Sequence, residues 1–357
     1  MIVGKLTPRR ILILLTGSIG DVIRALPLLG RIRRAWPDAY IAWAVEPKSA
    51  PVLRGHRWLD KLIIYDRTRA PWAFIPFLMA IRSERFDLVL DLQRHLKSGI
   101  ISIVAGASER LGFAEANSKE FNYLFATRHI AIQPTLRLKL LQYQAFGDAL
   151  DLPAAPVEFG LELQPSEYEH ARKLIAGVPR PIVGIILGSS WPSRIYFPES
   201  IAAVIRELAI PSDRRPGLFA VLLGSHDEAP LAAAVIKHLD QVPALDLTGR
   251  TSLRDLIAIF QECAVAFGPD SGPMHLAAAM GCPVVSVWGA TAPERSAPWG
   301  FAELAIKAEI PCHPCYLRTC PIERECMRRI TPEAVVAMVR RALDTHAQGR
   351  VSEIASI

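Results

Sequence analysis

Short apolar runs alternate with amphipathic segments along the chain, which is the pattern of a parallel α/β fold. The first half begins with the apolar run Ile11–Leu15, a glycine-containing loop, an amphipathic helix that ends at Pro37 and a second apolar run, Ile41–Val45. Runs that are apolar throughout predict strands buried on both faces of a parallel sheet. Leu88–Leu92 is predicted as a further strand of this series.

The same alternation resumes after residues 150–168, a stretch with three prolines and no Lys or Arg. We place the domain boundary there, with domains at 1–165 and 166–330 and a C-terminal helix and tail at 331–357. The sequence therefore predicts an α/β protein with two Rossmann-like, doubly wound domains that face each other across a cleft. The predicted strands are Pro181–Leu187, Leu218–Leu223, Ala244–Leu247, Ala264–Phe267 and Cys282–Trp288, and the predicted helices are Glu199–Leu208, Leu253–Cys263 and Glu333–Leu343.

The turn after Ala264–Phe267 has the features of an anion site. Its sequence is GPDSGP, and Pro273 and Gly281 suit the start and the end of the short helix that follows. A helix N-terminus presents unpaired N–H groups, and Ser271 and Gly272 allow a phosphate to approach the backbone closely. An ordinary strand-to-helix turn has the same proline and glycine signals, so both interpretations stand on this motif alone.

Asp21 lies at the end of the loop that follows the first predicted strand. The loop has neither the G-x-G-x-x-G dinucleotide fingerprint nor a Walker Gly-Lys-Ser/Thr ending, which argues against a nicotinamide-dependent oxidoreductase. A carboxylate at a helix start can simply stabilise the helix dipole. At the carboxyl end of a strand it can instead accept a proton from an attacking hydroxyl group.

Basic residues are concentrated in the first half of the chain. Residues 1–150 hold 22 Lys and Arg against 12 Asp and Glu, whereas residues 151–357 hold 19 against 23. This imbalance favours a polyanionic or membrane-surface partner for the first half, or a solvated basic face. Arg94 and Lys97 follow a predicted strand and can face an anionic ligand or begin a solvated helix. We find no nucleic-acid motif.

No apolar run reaches the ~18 residues of a membrane-spanning helix, and the N-terminus lacks the pattern of a signal peptide. We therefore expect a cytoplasmic protein. The longest apolar segment is Pro71–Ile81, and Arg67, Arg69, Arg82 and Arg85 flank it. Basic residues around an apolar aromatic helix suit a membrane interface, but a buried core helix is the favoured interpretation.

Four cysteines crowd into the segment PCHPCYLRTCPIERECM. Only one C-x2-C pair occurs there and no second pair or H-x3-H follows, so the zinc pattern is incomplete. Reduced structural thiols, a structural metal and disulfides all stay open, although disulfides are disfavoured in the cytoplasm. The clustered residues are Cys312, Cys315, Cys320 and Cys326, while Cys263 and Cys282 lie in apolar runs and are predicted to be core residues.

Four separated segments resemble one enzyme family. They are ILILLTGSIGDVIRALPLL, GSSWPSRIYFPES, LLGSHDE and GPDSGPMHLAAAMGCPVVSVWG. Together they make the chain similar to glycosyltransferase family 9, the ADP-heptose:lipopolysaccharide heptosyltransferases, from about residue 10 to about residue 343. Many members of this family also carry a cysteine-rich tail that resembles this one.

The resemblance implies a B-type glycosyltransferase fold, with the acceptor bound by the first domain and a nucleotide sugar by the second. It also implies an inverting, metal-independent transfer onto an anionic, lipid-linked saccharide at the inner face of the cytoplasmic membrane. The implied partners are thus the donor, this acceptor and a peripheral membrane contact, with no cofactor and no nucleic acid.

Carried over by position, the family's catalytic aspartate falls on Asp21, and we assign acceptor binding to Ser18, Gly20, Arg94 and Lys97. The family's phosphate-binding lysine falls on Arg194, which keeps the charge but grips phosphate differently. The donor-binding positions are Ser189, Ser190, Arg194, Glu228, Asp270, Ser271, Gly272 and His275.

Two alternatives fit the same two-domain plan: a nucleotide-sugar epimerase that acts on the donor alone, and a non-catalytic nucleotide-sugar-binding protein. The residues themselves do not identify the base, the sugar or the acceptor, so heptose is implied by the resemblance alone.

Overall fold

The structure, a computed structural model, describes residues 7–69, 72–211 and 216–354, with side chains described as far as residue 346. The chain divides into two compact units, the first ending at Glu162 and the second beginning at Leu163. Each unit has its own sheet and its own helices.

The described part of the first unit forms a six-stranded parallel sheet in the order β3-β2-β1-β4-β5-β6. Its strands are β1 (Arg10–Leu14), β2 (Tyr40–Val45), β3 (Lys61–Ile64), β4 (Leu88–Asp91), β5 (Glu109–Gly112) and β6 (Arg128–His129). Its helices are α1 (Ile19–Ala35), α2 (Ala50–Leu53), α3 (Phe74–Ser83), α4 (Leu96–Val104) and α5 (Lys139–Ala149).

The central strand β1 is buried on both faces, as its uninterrupted apolar sequence predicts. It pairs with β2 on one side and with β4 on the other. On one face of the sheet, Phe77 and Ile81 of α3 and Ile101 of α4 pack with Leu12 and Val89 in a single apolar cluster. Helices α3 and α4 therefore form one outer layer of this unit.

The second unit repeats this plan with a six-stranded parallel sheet in the order β12-β11-β10-β7-β8-β9 across its described residues. Its strands are β7 (Ile182–Ile186), β8 (Phe219–Leu223), β9 (Ala244–Asp246), β10 (Cys263–Pro269), β11 (Val284–Trp288) and β12 (Ala305–Lys307). Its helices are α6 (Pro165–Leu174), α7 (Pro198–Ala209), α8 (Ala229–Lys237), α9 (Leu253–Glu262), α10 (Gly272–Ala279), α11 (Pro293–Ser296), α12 (Glu325–Arg328) and α13 (Pro332–Ile354).

Numbered from its own first strand, each sheet has the Rossmann order 3-2-1-4-5-6. The strand order reverses between β1 and β4 in the first unit and between β7 and β10 in the second. In open sheets of this type, ligands bind outside the carboxyl ends of the strands at such a reversal. The loops that leave β1, β4, β7 and β10 are therefore where function is expected.

The α/β fold prediction is confirmed, and each predicted strand matches an observed one to within one or two residues. Strands β3, β5, β6 and β12, which are only two to four residues long, were not predicted from the sequence. Both residues of β6 are exposed, so no apolar run marks that strand.

The prediction that Pro71–Ile81 forms a buried core helix is wrong for most of its length. Pro71 lies outside the described residues, and in α3 only one stripe, with Phe77 and Ile81, is buried. The side chains of Ile75 and Met79 are 60% and 67% exposed. The cause is its position, because a helix in the outer layer of a two-sided sheet buries one face whatever its composition. Among the helices that the structure describes, none is long and apolar enough to cross a bilayer.

Candidate functional site

The loop between β1 and α1 holds the first group of candidate residues. Ser18 is the N-cap of α1, and its hydroxyl group accepts from the Asp21 backbone N–H at 3.4 Å and donates to Asp21 Oδ2 at 3.0 Å. Gly20 is buried in the first turn of the helix. Asp21 thus sits in the first helical turn at the switch point of the first sheet, where the sequence analysis expected it.

Asp21 lies among cations that were not predicted. Its Oδ1 accepts from Arg24 Nη2 at 2.8 Å, from Lys139 Nζ at 2.7 Å and from the Tyr143 hydroxyl at 3.2 Å. Burial alone would raise the pKa of Asp21, but the charges and hydrogen bonds of Lys139 and Arg24 outweigh it and hold that pKa well below its usual value. The carboxylate is therefore ionised throughout the physiological range, and the group of two cations and one anion carries a net positive charge.

The partners of Asp21 differ in how readily they can be predicted from the sequence. Arg24 is three residues further along α1, so helical periodicity could have indicated it, although it was not predicted. Lys139 and Tyr143 are on α5, more than one hundred residues away along the chain, and no local pattern connects them to Asp21. Burial, followed by the charge of Asp21, raises the pKa of Tyr143 well above its usual value, so this side chain stays a hydrogen-bond donor.

The two basic candidates after β4 take different positions. Arg94 hydrogen-bonds to Gln142 on α5 and lies 4.1 Å from the centre of the Phe113 ring. Its charge also acts on Tyr143, so the structure brings Arg94 near the Asp21 group. Lys97 instead hydrogen-bonds to the Tyr65 hydroxyl, and its ammonium lies over the Tyr65 ring, on the α3 side of the sheet.

Asp91, at the carboxyl end of β4, was not among the predicted site residues. It is buried, and its carboxylate accepts from Gln93 N at 3.0 Å, Ser98 Oγ at 3.0 Å and Asn122 Nδ2 at 2.9 Å. With the Gln93 amide oriented to satisfy its hydrogen bonds, the amide oxygen accepts from the backbone N–H groups of Thr16 and Gly17. Asp91 and Gln93 thereby support the loop that precedes Asp21.

Burial raises the pKa of Asp91 to about 7, against the lowering effect of Asn122, Ser98 and Gln93. The folded protein therefore keeps a proton that the unfolded chain loses near pH ~4. Stability from this group is complete below that unfolded pKa and is lost as the pH rises through about 7. Between about pH 5 and about pH 8, the unfolding free energy of the wild type should fall by about 2 to 3 kcal/mol relative to Asp91→Asn.

Urea unfolding of both proteins at the two pH values measures this difference. Asp38→Asn, an exposed site in the same unit, is the matched control and should follow the wild type. A constant difference between wild type and Asp91→Asn would contradict the assignment.

The N-terminus of α10 holds the second group. The helix follows β10 directly, with Ser271 as its N-cap and Pro273 in its first turn. The Ser271 residue is 8% exposed, and its hydroxyl group has no hydrogen-bond partner among the described residues. An unsatisfied buried hydroxyl at a helix N-terminus is a ready donor to an anion that adds to the backbone N–H groups there.

Arg194 and Ser189 converge on the same turn from the β7 side of the switch point. Arg194 Nη1 lies 3.1 Å from Asp270 Oδ2, which also accepts from the Thr291 hydroxyl at 2.8 Å. The guanidinium carbon is 3.9 Å from the centre of the Trp191 ring. Ser189 donates to the Asp270 carbonyl oxygen at 2.7 Å. The carboxylate and the aromatic ring orient the cation beside the α10 N-terminus.

The remaining donor candidates lie around these two loops. A Cβ added at Gly188 would lie 2.2 Å from Glu228 Oε1, so the Glu228 carboxylate packs against the backbone just before Ser189. His275 is buried within α10, and Ser190 is exposed. The structure thus gathers Ser189, Arg194, Asp270 and Ser271 with Glu228 beside them.

The cysteine-rich segment lies near the carboxyl end of β11. Cys312, Cys315, Cys320 and Cys326 are not in disulfides. Burial, followed by the neighbouring thiols, raises the pKa of Cys326. No three His, Cys, Asp or Glu groups within the described ranges are placed to hold a metal ion. Cys263 and Cys282 are fully buried, which confirms their prediction as core residues.

Sequence comparison finds relatives that are lipopolysaccharide heptosyltransferases. The lipopolysaccharide core heptosyltransferase OpsX of Haemophilus influenzae is 25% identical over 82% of this chain and 82% of its own length. Lipopolysaccharide heptosyltransferase 1 of Pseudomonas aeruginosa is 26% identical over 94% of this chain and 98% of its own.

Solved structures resemble the chain over nearly its whole length. A glycosyltransferase family 9 protein from Veillonella parvula superposes with a TM-score of 0.80 at 20% identity, covering 95% of this chain and 98% of its own. Escherichia coli heptosyltransferase WaaC, solved with ADP-2-deoxy-2-fluoro heptose, has a TM-score of 0.71 at 20% identity, covering 93% and 99%. These structural similarities show the fold of the chain, which is the B-type glycosyltransferase fold that the resemblance implies.

The family model described as glycosyltransferase family 9 (heptosyltransferase) matches residues 76–325, well over half of the chain. This match and the curated relatives favour a glycosyltransferase over an epimerase or a non-catalytic binding protein. The chain belongs to glycosyltransferase family 9 and is a glycosyltransferase.

Proposed function

We propose that this enzyme moves a heptose or a related sugar from a nucleotide-diphosphate sugar, with ADP-heptose as the first candidate, to an anionic saccharide of the lipopolysaccharide core. The observation that carries the proposal is the buried, unpartnered Ser271 hydroxyl at the α10 N-terminus, with the Arg194 cation beside it. A diphosphate leaving group needs this kind of positive, donor-rich site.

On the donor side, negative charge develops on the β-phosphate as the bond to the sugar breaks. The N–H groups of the α10 N-terminus and the Ser271 hydroxyl donate to phosphate oxygens, and Arg194 supplies the charge that a metal ion would otherwise provide. Ser189 and Ser190 line the same site, Asp270 orients Arg194, and His275 lies on α10 behind it. Glu228 is proposed to bind the ribose hydroxyls.

On the acceptor side, Asp21 is the proposed general base. Its Oδ1 is anchored by Lys139, Arg24 and Tyr143, while Oδ2 faces the Ser18 side of the loop. Oδ2 accepts the proton of the acceptor hydroxyl, whose oxygen attacks the anomeric carbon as the diphosphate leaves from the opposite side. One such displacement inverts the configuration of that carbon.

The net positive charge around Asp21 also fits the acceptor. A lone carboxylate would repel a saccharide that carries carboxylates and phosphates, but the cations beside Asp21 remove that penalty. Arg94, near Tyr143, adds to this field. Ser18, Gly20, Arg94 and Lys97 remain the proposed acceptor-binding residues. Lys97 is held by the Tyr65 hydroxyl rather than by a partner of Asp21.

The reaction requires the two substrates to meet, so we propose that the first unit is the acceptor-binding domain and the second the nucleotide-sugar-binding domain. In this proposal their sites face each other across a cleft during transfer. We also propose that the enzyme acts in the cytoplasm, in peripheral contact with the inner face of the membrane that carries the lipid-linked acceptor.

Thermal unfolding with a panel of nucleotide sugars tests the donor assignment. ADP-heptose at about 100 times its dissociation constant should add about 2.7 kcal/mol of stability, and ADP-glucose, UDP-glucose and GDP-mannose less. Ser271→Ala removes the unpartnered hydroxyl and should reduce the shift that ADP-heptose gives. A panel without any stabilising nucleotide sugar would contradict the proposal.

Release of the nucleoside diphosphate separates the proposal from its alternatives. A transferase releases it only when donor and acceptor are both present. An epimerase would instead convert the donor without an acceptor, and a binding protein would release nothing.

A further inference from the structure

The outer layer of the first unit carries a continuous apolar face. On α3 and just before it, Trp72, Ile75 and Met79 are 85%, 60% and 67% exposed. On α4, Leu96, Ile100 and Ile103 are 43%, 41% and 50% exposed. Both sets follow the three- and four-residue spacing of one helix face. We call these six residues the α3–α4 apolar face.

The two halves of this face lie side by side. Near the start of both helices, Lys97 Nζ of α4 is 5.2 Å from the centre of the Phe74 ring of α3. Near their ends, a Cβ at Gly106 would collide with the Arg82 guanidinium. Because the two helices contact each other near their N-termini and again near their C-termini, α3 and α4 run parallel. Their exposed stripes then form one surface. Exposed apolar surfaces of this kind mark interaction sites.

The charges beside α3 are mostly basic, although Arg67 Nε lies 3.7 Å from Glu46 Oε1 and Glu120 accepts from the Leu96 backbone N–H at the start of α4. Arg67 and Arg69 precede α3, while Arg82 and Arg85 close its other end, and all four are exposed. The acids of the same stretch are engaged elsewhere: Glu84 pairs with Lys61 and Arg10, Asp87 accepts from the backbone N–H groups of Arg9 and Arg10, and Asp91 is buried. An apolar, tryptophan-bearing face between arginines is complementary to anionic lipid headgroups above acyl chains.

A second copy of the chain is the competing occupant. A two-fold interface places a patch against itself, so the flanking arginines would meet arginines across it. Like charges that face each other in an interface oppose association. The charge pattern therefore favours an anionic lipid surface.

We propose that the α3–α4 apolar face is the membrane-docking surface of this enzyme, with Trp72, Ile75 and Met79 inserted at the headgroup level and the arginines on lipid phosphates. This inference rests on the proposed function, because a lipid-linked acceptor makes the membrane the place of reaction. It assigns the contact to one layer of the first unit.

The test is sedimentation of the full-length protein with vesicles of phosphatidylethanolamine and phosphatidylglycerol that contain no acceptor. The double variant Ile75→Ser, Met79→Ser removes two exposed side chains and should weaken partitioning about tenfold or more. The matched control, Ile132→Ser, Ile210→Ser, changes side chains that are 68% and 59% exposed outside this face, and should bind as the wild type does. Phosphatidylcholine vesicles should bind the wild type more weakly.

The outcomes separate the surface from the proposed function. Transfer to a deacylated, water-soluble acceptor should be unchanged in the double variant, because neither residue belongs to the proposed active site. Equal vesicle binding by wild type and double variant would overturn the surface while leaving the transfer reaction intact. The proposed surface would also be overturned if the wild type did not bind the vesicles but formed a dimer that the double variant cannot form.

Discussion

Asp21→Asn is expected to lower sugar transfer by about a thousandfold while leaving donor binding intact. The amide has nearly the shape of the carboxylate but cannot accept the proton of the acceptor hydroxyl. The proposed donor site is built from Ser271, Arg194 and their neighbours in the second unit, whereas Asp21 belongs to the first. Product formation from ADP-heptose and a core acceptor measures the first effect, and the thermal shift with ADP-heptose measures the second.

Asp38→Asn provides the control for the change in net charge, because Asp38 is exposed in the same unit. It should retain wild-type transfer. The thermal midpoint of Asp21→Asn should fall modestly, since Lys139 and Arg24 lose their counter-charge. Transfer by Asp21→Asn at the wild-type rate would remove Asp21 from the mechanism.

Arg194→Met is expected to lower kcat/KM by about a hundredfold to a thousandfold, because the departing diphosphate loses the cation that is proposed to neutralise it. Arg194→Lys should keep most of the activity, since lysine is the residue that the resemblance places at this position. Initial rates over a range of donor concentrations give both values. If Arg194→Met and wild type were equally active, phosphate binding by Arg194 would be excluded.

Two further variants distinguish a loss of activity at the site from a loss of folding. Arg194→Met leaves the buried Asp270 carboxylate without its 3.1 Å ion partner, which destabilises a protein. The double variant Arg194→Met, Asp270→Asn removes that unpaired charge and should regain stability without regaining activity. Arg206→Met changes the same charge at an exposed ion pair and should behave as the wild type.

The strands that position the site could be predicted from the sequence because parallel strands at the centre of a sheet are apolar throughout. β1, β7 and β10 all have this signal, and their exit loops supplied Asp21, Ser189 and Ser271. The edge strands β6 and β12 lack it, because an edge strand can be two or three residues long and only partly buried.

The surroundings of the site could not be predicted in the same way. Lys139 reaches Asp21 because α5 packs beside α1, and that packing is a property of the tertiary fold rather than of any local spacing. The exposure of Ile75 was missed for a related reason. The sequence of an apolar helix does not show whether its outer face packs against more protein or is exposed on the surface of the domain.

The completeness of each sheet has a consequence for how such enzymes diversify. Strands of the first unit pair with one another and strands of the second do likewise, across the residues that the structure describes. A substitution that reshapes the loops after β7 and β10 therefore leaves the backbone pairing around Asp21 untouched. Under the proposed division of the two substrates between the units, donor choice and acceptor choice can change independently, and hybrids joined near Glu162 offer a way to recombine them.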